Sequence, residues 1–411
     1  MKILVLNSGS SSQKSCVYDI GDALPAYPPE PAWEGKIAWK DGEAEIRLRN
    51  SQGATLKESL KSASHAAATE RLLDMLSSGK VPAVAATSEI SVVGHRIVNG
   101  GHEYTEPTLI TPEVKSAISR MSALAPLHNR AELEGIDLVG EKLGTVRQIA
   151  VFDTGFHAQL PDAAAVYPGP YEWFEQGIRR FGFHGINHQY CAGRAAQLLG
   201  KDLRELKLVT CHLGNGCSLA AIRGGKSIDT TMGFTPLEGL MMGTRSGSID
   251  PGIVTHLIRR GQYTAQQLDE VLNKKSGLLG ISGISSDMRE IERAIKKNHA
   301  RAKLAFDIFV HRLSAGIGAM IAVLGGIDAL IFSAGIGENS SEVRAAACSN
   351  FEYLRLKLDS VKNQDCLQDG DLAKVDSAVR VLVIRAQEDW AIARDCWKIV
   401  HTVPKNLVSA N

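Results

Sequence analysis

The sequence has no surplus of charge. Lys and Arg total 46 against 45 Asp and Glu, a formal net charge of +1 over 411 residues. That balance excludes a polybasic nucleic-acid coat or membrane-surface binder, while leaving room for a local basic pocket. There is no CxxC pair. The seven cysteines, Cys16, Cys191, Cys211, Cys217, Cys348, Cys366 and Cys396, are scattered and odd in number. A disulfide scaffold or structural zinc site is therefore not expected, and free thiols in a reducing cytosol are. Long hydrophobic runs are missing too. The apolar run ending at Leu6 is too short for a signal-peptide core. The most membrane-like stretch, 313–337, is broken by Gly316, Gly318, Gly325, Gly326 and Asp328, and it reads as a buried helix followed by a buried strand. Neither GxxxxGK[ST] nor GxGxxG occurs, which removes the P-loop and Rossmann fingerprints. The expectation is a soluble cytoplasmic protein with no nucleic-acid or membrane partner.

What is present is an ordinary globular composition, 44% hydrophobic and 22% charged, so disorder is excluded as the main state. The length implies two or three domains. Lys2 to Leu6 is a β-rich run that stops at Asn7-Ser8-Gly9-Ser10-Ser11-Ser12, and Val17 and Tyr18 resume strand character, making the polar loop a hairpin tip. Residues 21–61 are Pro-rich, then polar and alternating, and read as surface strands and loops. Residues 66–76 read as an amphipathic helix. Apolar strands at 90–93 and 148–152 end in Gly94-His95-Arg96 and Asp153-Thr154-Gly155. The second half restarts the design: strand 206–210, a Gly-rich tip over 211–218, and strand 219–222, a weak internal repeat of residues 3–18. The strand 329–332 runs into Ser333-Ala334-Gly335-Ile336-Gly337-Glu338-Asn339. A last strand, 379–384, leads to Glu388, and a helix over 391–400 closes the chain. Strands alternating with helices indicate an α/β class. Polar or Gly-rich tails recur at the carboxyl ends of strands, where open α/β sheets place ligands.

Three tips could carry chemistry: 7–12, 212–218 and 335–339. Glycine lets backbone N–H groups approach a phosphate, Ser and Asn add neutral donors, and Lys14 could add a point charge; ordinary tight turns are the alternative. Arg96 and Arg245 sit among small residues, as arginines that enter a cleft to hold oxyanions do, although surface ion pairs would also account for them. His184, flanked by aromatics and glycines, is the least ordinary histidine. Asp153 and Glu388 follow strands directly. Each could hold Mg²⁺ through water or cap a helix.

Together these segments resemble the acetate and propionate kinase family, within the actin/sugar-kinase/Hsp70-like phosphotransferases. The motifs are LVLNSGSSSQK (4–14), GHRIVNGG (94–101), PLHN (126–129), VFDTGFH (151–157), FGFHGINH (181–188), HLGNGCS (212–218), TMGFTPLEGLMMGTRSGSIDP (231–251) and FSAGIGENS (332–340). They run in family order over nearly the whole chain. The resemblance implies two similar α/β domains of the ribonuclease H-like type facing a cleft. The first would be 1–155 with the closing helix 390–411 packed back on it, and the second 156–389. It implies acetate kinase activity, with propionate kinase as the alternative, using ATP/ADP and Mg²⁺ (Mn²⁺ able to substitute), in a homodimer. By motif position, Asn7 and Glu388 would be the metal residues and Lys14 an ATP contact. His212-Leu213-Gly214-Asn215-Gly216 would hold phosphates, and Asp287-Met288-Arg289 with Gly335 to Asn339 would lie around the adenosine. Arg96 would bind the acid's carboxylate. Arg245 and His184 would stabilise the transferring phosphoryl group, with Asp153 at the active centre. Val98, Leu127, Phe183 and Pro236 would form the pocket for the acyl tail, with His128 beside the substrate.

The chain departs from the family pattern at Ile186-Asn187, where Thr-Ser is expected, and at Ser248, where Asp is expected. It departs again at Arg385-Ala386-Gln387, where Pro-Thr-Asn is expected, and at Gln13, which replaces an apolar residue. Residues 22–60 match poorly. None of these removes a charge-bearing role. The chemistry suits the residues: a carboxylic acid is already ionised at neutral pH, so the nucleophile needs no general base. The obstacle is repulsion between two anions, which positive charge and positioning relieve. Asp153 is accordingly expected to order Mg²⁺ or its waters. An actin- or Hsp70-like ATPase would not need Arg96, Arg245 or the Phe183-His184 pocket; a catalytically silent relative is a further reading.

Overall fold

The computed structural model describes residues 1–9, 12–40, 43–61, 63–121, 129–366 and 368–402. Leu127 and His128 lie outside the described residues. By its internal contacts the chain divides into two units, Met1–Gly155 with Gln387–Asn411, and Phe156–Ala386.

The first unit is built on strands β1 (Lys2–Ser8), β2 (Ser12–Asp19), β3 (Trp33–Lys40), β4 (Glu43–Asn50), β5 (Thr55–Lys61), β6 (Ile90–Ile97), β7 (Thr108–Leu109) and β8 (Arg147–Phe152). They form an eight-stranded sheet ordered β5-β4-β3-β2-β1-β6-β8-β7. β1 pairs antiparallel with β2, and β1, β6 and β8 run parallel. Leu4, Leu6, Val17, Trp33, Ile37, Ile46 and Leu48 face a core shared with Leu72, Leu73 and Leu76. The segment 33–48 is therefore not a surface element. Its polar residues alternate with Ala44, Ile46 and Leu48, which are buried as a pleated strand requires. The helix Glu388–Thr402 covers the opposite face, packing on β1 and β6, with Trp390 edge-on to Tyr18. Gly94 permits this approach: a Cβ there would lie 2.6 Å from Cys396 Sγ and 2.6 Å from Ile392 Cγ2.

The second unit uses β9 (Lys207–Leu213), β10 (Cys217–Arg223), β11 (Lys226–Thr230), β12 (Ala329–Ser333), β13 (Gly370–Asp371) and β14 (Arg380–Val383), in the order β11-β10-β9-β12-β14-β13. β9 and β10 form an antiparallel hairpin, and β9, β12 and β14 are parallel. Thus β3-β2-β1-β6-β8 and β11-β10-β9-β12-β14 share one design: three antiparallel strands, then two parallel additions. The fold is α/β with two similar sheets. The helix Ala300–Leu324 is long and apolar enough, by length and composition, to cross a membrane, with 33% of its most apolar window buried. It packs on β10, stops at Gly325 in the left-handed region (φ 63°), and is followed by the fully buried β12.

Candidate active site

In the first unit three neighbouring parallel strands end together. Leu6 of β1 pairs with His95 of β6, and Arg96 pairs with Val151 of β8. Asn7, Arg96 and Asp153 therefore emerge at one edge of the sheet. Arg96 Nη2 donates to Asp153 Oδ2 at 2.8 Å and Nη1 to the Ser8 carbonyl at 3.0 Å. Asp153 is fully buried. One of its carboxylate oxygens is thus engaged by a guanidinium. Arg96 Nε is buried with no hydrogen-bond partner among the described residues, and Val98, two residues on, is 4% exposed.

The first turn of the helix Glu388–Thr402 meets this edge. Asn7 Nδ2 donates to Glu388 Oε2 (3.1 Å) and Asp389 Oδ1 (3.0 Å), and Lys14 Nζ pairs with Asp389 Oδ2 (2.5 Å). Burial holds the Glu388 carboxyl above its ordinary range, against the pull of Arg96. Two further acids here carry no mark in the sequence pattern. Asp389 passes for an ordinary helix-terminal charge, though its place beside Glu388 was a usable signal. Glu132, on the helix Asn129–Leu143, passes for a surface residue, yet it is buried and accepts the Val98 N–H with both oxygens (3.2 Å each). Burial pushes its carboxyl up to about 8 despite the nearby Arg96.

These groups fit a magnesium ion. Asp153 pairs with Arg96 and Asp389 with Lys14, and the carboxyls of Glu388 and Glu132 lie close to Arg96 as well, so hard oxygen donors are gathered at this edge. Among the described residues no three His, Cys, Asp or Glu side chains could hold a metal by themselves. Mg²⁺ keeps most of its waters and takes one or two carboxylates plus substrate phosphates, a demand that the oxygen donors of this cluster can meet.

In the second unit, His184 stands at the N-cap of the helix Gly185–Leu199 in the left-handed region (φ 58°), an uncommon conformation for a side-chain-bearing residue. Its Nδ1 is 2.9 Å from Ser218 Oγ, its ring stacks on His212 with centroids 4.0 Å apart, and His188 bridges Ser218 and Thr210 at 2.7 Å each. Burial, with His157 and His212 nearby, pushes His188 well below the ordinary histidine value. The tip His212 to Gly216 joins β9 to β10. A Cβ on Gly216 would lie 3.3 Å from His184 Nε2 and 3.5 Å from Arg245 Nη1, so this tip, His184 and Arg245 are neighbours. Arg245 Nη1 donates to the Pro236 carbonyl at 3.2 Å, and Phe183 is 2% exposed.

Asp287 caps the helix Met288–Ile295 and pairs with Arg289, while Met288 is buried. Gly243 brings this segment near the tip, since a Cβ there would lie 2.2 Å from Asn215 Oδ1 and 3.2 Å from the Ser286 carbonyl. Residues 335–339 form no open loop: Ala334–Asn339 is a short helix entered at Ala334 with φ 64°. Asn339 Nδ2 donates to the Gly335 carbonyl, and Glu338 Oε1 accepts from Ala386 N at 2.8 Å. These side-chain ties offset the poor helix propensity of glycine. Ile336 and Gly337 lie on the same helix.

The departures are accommodated. Gln13 Oε1 accepts from Thr69 and Ser8 hydroxyls at 3.1 Å, and Ser248 Oγ accepts from Gly239 N at 3.0 Å.

Twin α/β sheets of one design, with polar, glycine-rich tips at the carboxyl ends of their parallel strands, have the architecture of the actin/sugar-kinase/Hsp70-like class. Within it, residues 2–394 match the Acetokinase family, and the chain belongs to that family. A relative from Cyanothece sp. named acetate kinase is 59% identical over 98% of this chain and 99% of its own. The crystal structure of Porphyromonas gingivalis acetate kinase is similar with a TM-score of 0.88 at 38% identity, covering 97% of this chain and 99% of that one. That of a propionate kinase from Francisella tularensis gives 0.87 at 35%, covering 96% and 98%.

Proposed function

We propose that the protein transfers the γ-phosphoryl group of ATP to acetate, reversibly, giving acetyl phosphate and ADP. The observation that carries this, given the family, is Arg96. Its buried Nε–H lacks a protein partner among the described residues, and the apolar Val98 lies just beyond it. A small carboxylate with a short acyl tail satisfies both.

Arg96 binds the acid's carboxylate, and Val98, Phe183 and Pro236, with Leu127 and His128, set the length of the tail. His212 to Gly216 hold the nucleotide phosphates, Lys14 contacts ATP, and residues 287–289 and 335–339 lie around the adenosine. Arg245 and His184 donate to the transferring group as its equatorial oxygens gain charge. Donors of this kind, fixed before reaction, contribute roughly 3–4 kcal/mol each. An ionised acid needs no general base, so the work of Asp153, paired with Arg96, is to hold the guanidinium and order waters. Asn7 and Glu388 would hold Mg²⁺, which supplies charge neutralisation at the phosphates when bound. The transfer is direct, with no phosphorylated residue between ATP and acid.

We place the enzyme in the cytoplasm as a homodimer without nucleic-acid or membrane partners. Supporting the dimer, Ile253 and Ile258 on the helix Pro251–Arg259 are 47% and 40% exposed beside an apolar groove lined by Leu257, Tyr263 and Leu268; light scattering on the purified protein tests it. The activity is tested by incubating protein, ATP and Mg²⁺ with acetate, propionate or butyrate and trapping the product with hydroxylamine. Acetyl hydroxamate should dominate, propionyl should be slower, and butyryl poor. ATP hydrolysis indifferent to the acid would overturn the reading, and a propionate preference would favour the propionate kinase alternative.

A further inference from the structure

Asn187, where the family resemblance leads one to expect serine, is 1% exposed on the first turn of the helix Gly185–Leu199. Its side chain reaches three groups: His212 Nδ1 at 2.9 Å, Ser333 Oγ at 3.2 Å from Nδ2, and Cys191 Sγ at 3.7 Å from Oδ1. Oδ1 accepts from the Cys191 thiol, and from Ser333 Oγ at 3.5 Å, which turns the NH₂ toward His212. A donor facing Nδ1 requires that nitrogen to be the acceptor, which puts the imidazole proton on Nε2. Nε2 in turn faces the glycine tip, 3.6 Å from where a Cβ on Gly214 would lie.

We infer that Asn187 is a positioning residue that locks His212 as the neutral Nε2–H tautomer, so that the phosphate-binding tip presents a hydrogen-bond donor. Two further observations agree. His212 stacks on His184 with centroids 4.0 Å apart, where two imidazolium rings would repel each other, and an amide N–H at Nδ1 opposes protonation of that ring. The neighbouring His188 has both nitrogens engaged by Ser218 and Thr210 hydroxyls, so it competes for neither nitrogen of His212. Serine at 187 would be shorter, and its hydroxyl could donate or accept, leaving the tautomer unfixed. The residue that departs from the pattern thus acts on this ring more strictly than the expected one.

The inference rests on the reading of this tip as a phosphate site, but its first test does not use activity. The intact protein is labelled with ¹⁵N-histidine, and long-range ¹H–¹⁵N correlation is recorded without nucleotide at mildly alkaline pH, with His212→Gln assigning the signals. His212 should show a protonated Nε2 and a bare Nδ1. Asn187→Asp, whose carboxylate accepts where the amide donated, should move the proton to Nδ1. It should also raise the KM for ATP about tenfold or more while kcat changes less, because a hydrogen bond to a charged group acts here on bound and transferring phosphate alike. Asn187→Ser should give mixed tautomer signals, and serves alone if Asn187→Asp does not fold. A protonated Nδ1 in the wild type overturns the inference, as does an unchanged KM once the proton has moved. Failure to phosphorylate acetate with the Nε2–H tautomer intact would instead strike the proposed function.

Discussion

Arg96→Met tests how the first unit is held together as well as what it binds. Methionine replaces much of the buried stem, but it leaves Asp153, fully buried, without the guanidinium 2.8 Å away, and it removes the Nη1 donor to the Ser8 carbonyl. Breaking one side of a buried ion pair costs about 3–5 kcal/mol. With a urea dependence of about 1–3 kcal/mol per molar, the midpoint should fall by roughly 1–5 M. The loss must also depend on pH. Burial raises the carboxyls of Glu132, to about 8, and Glu388, while Arg96 pulls both down; without it both rise further. A carboxyl raised in the folded state contributes stability that is complete below its unfolded pKa and is lost as pH rises through the folded one. The deficit of Arg96→Met should therefore be larger near about pH 9 than near about pH 6. Tryptophan fluorescence during urea unfolding reads this unit selectively, since Trp33, Trp39, Trp390 and Trp397, of five tryptophans, belong to it. An unchanged midpoint, or a deficit that shrinks as pH rises, would refute the reasoning.

Arg245→Ala should lower kcat by roughly two to three orders of magnitude, with little change in KM for ATP, because its donor acts mainly on the transition state; equal turnover would remove it from the chemistry. Val98→Ala should raise the propionate-to-acetate ratio of kcat/KM, one methylene being worth about 1–3 kcal/mol, and an unchanged ratio would mean that Val98 is no wall of the acyl pocket. Gly94→Ala should lower thermal stability, since overpacking costs about 1–3 kcal/mol and the new Cβ would sit 2.6 Å from Cys396 Sγ; Cys396→Ala in the same chain should restore part of the loss.

Much of this was legible because apolar runs that end abruptly in polar residues mark the carboxyl ends of strands. Such runs place Asn7, Arg96, Asp153 and His212 at strand ends, where the structure has them, and the likeness of 3–18 to 206–222 matches the shared sheet design. Three features were hidden. Glu132 and Asp389 are acids on helices, and nothing local separates a buried carboxylate from a solvated one. The alternation at 44–49 suits a surface strand, yet one face of such a strand is always available to a core, here that of Leu72 and Leu73. The glycines of 335–339 argued for a loop, but the short helix is held by Asn339 and Glu338 bonds to distant or preceding backbone, partners that a linear reading does not bring together.

The stereochemical course of transfer from ATP made chiral at the γ-phosphorus with oxygen isotopes bears most directly on the central claim. One in-line displacement by the acetate carboxylate predicts acetyl phosphate with inverted configuration. Retention, or label released only as inorganic phosphate, would contradict direct transfer between the two anions.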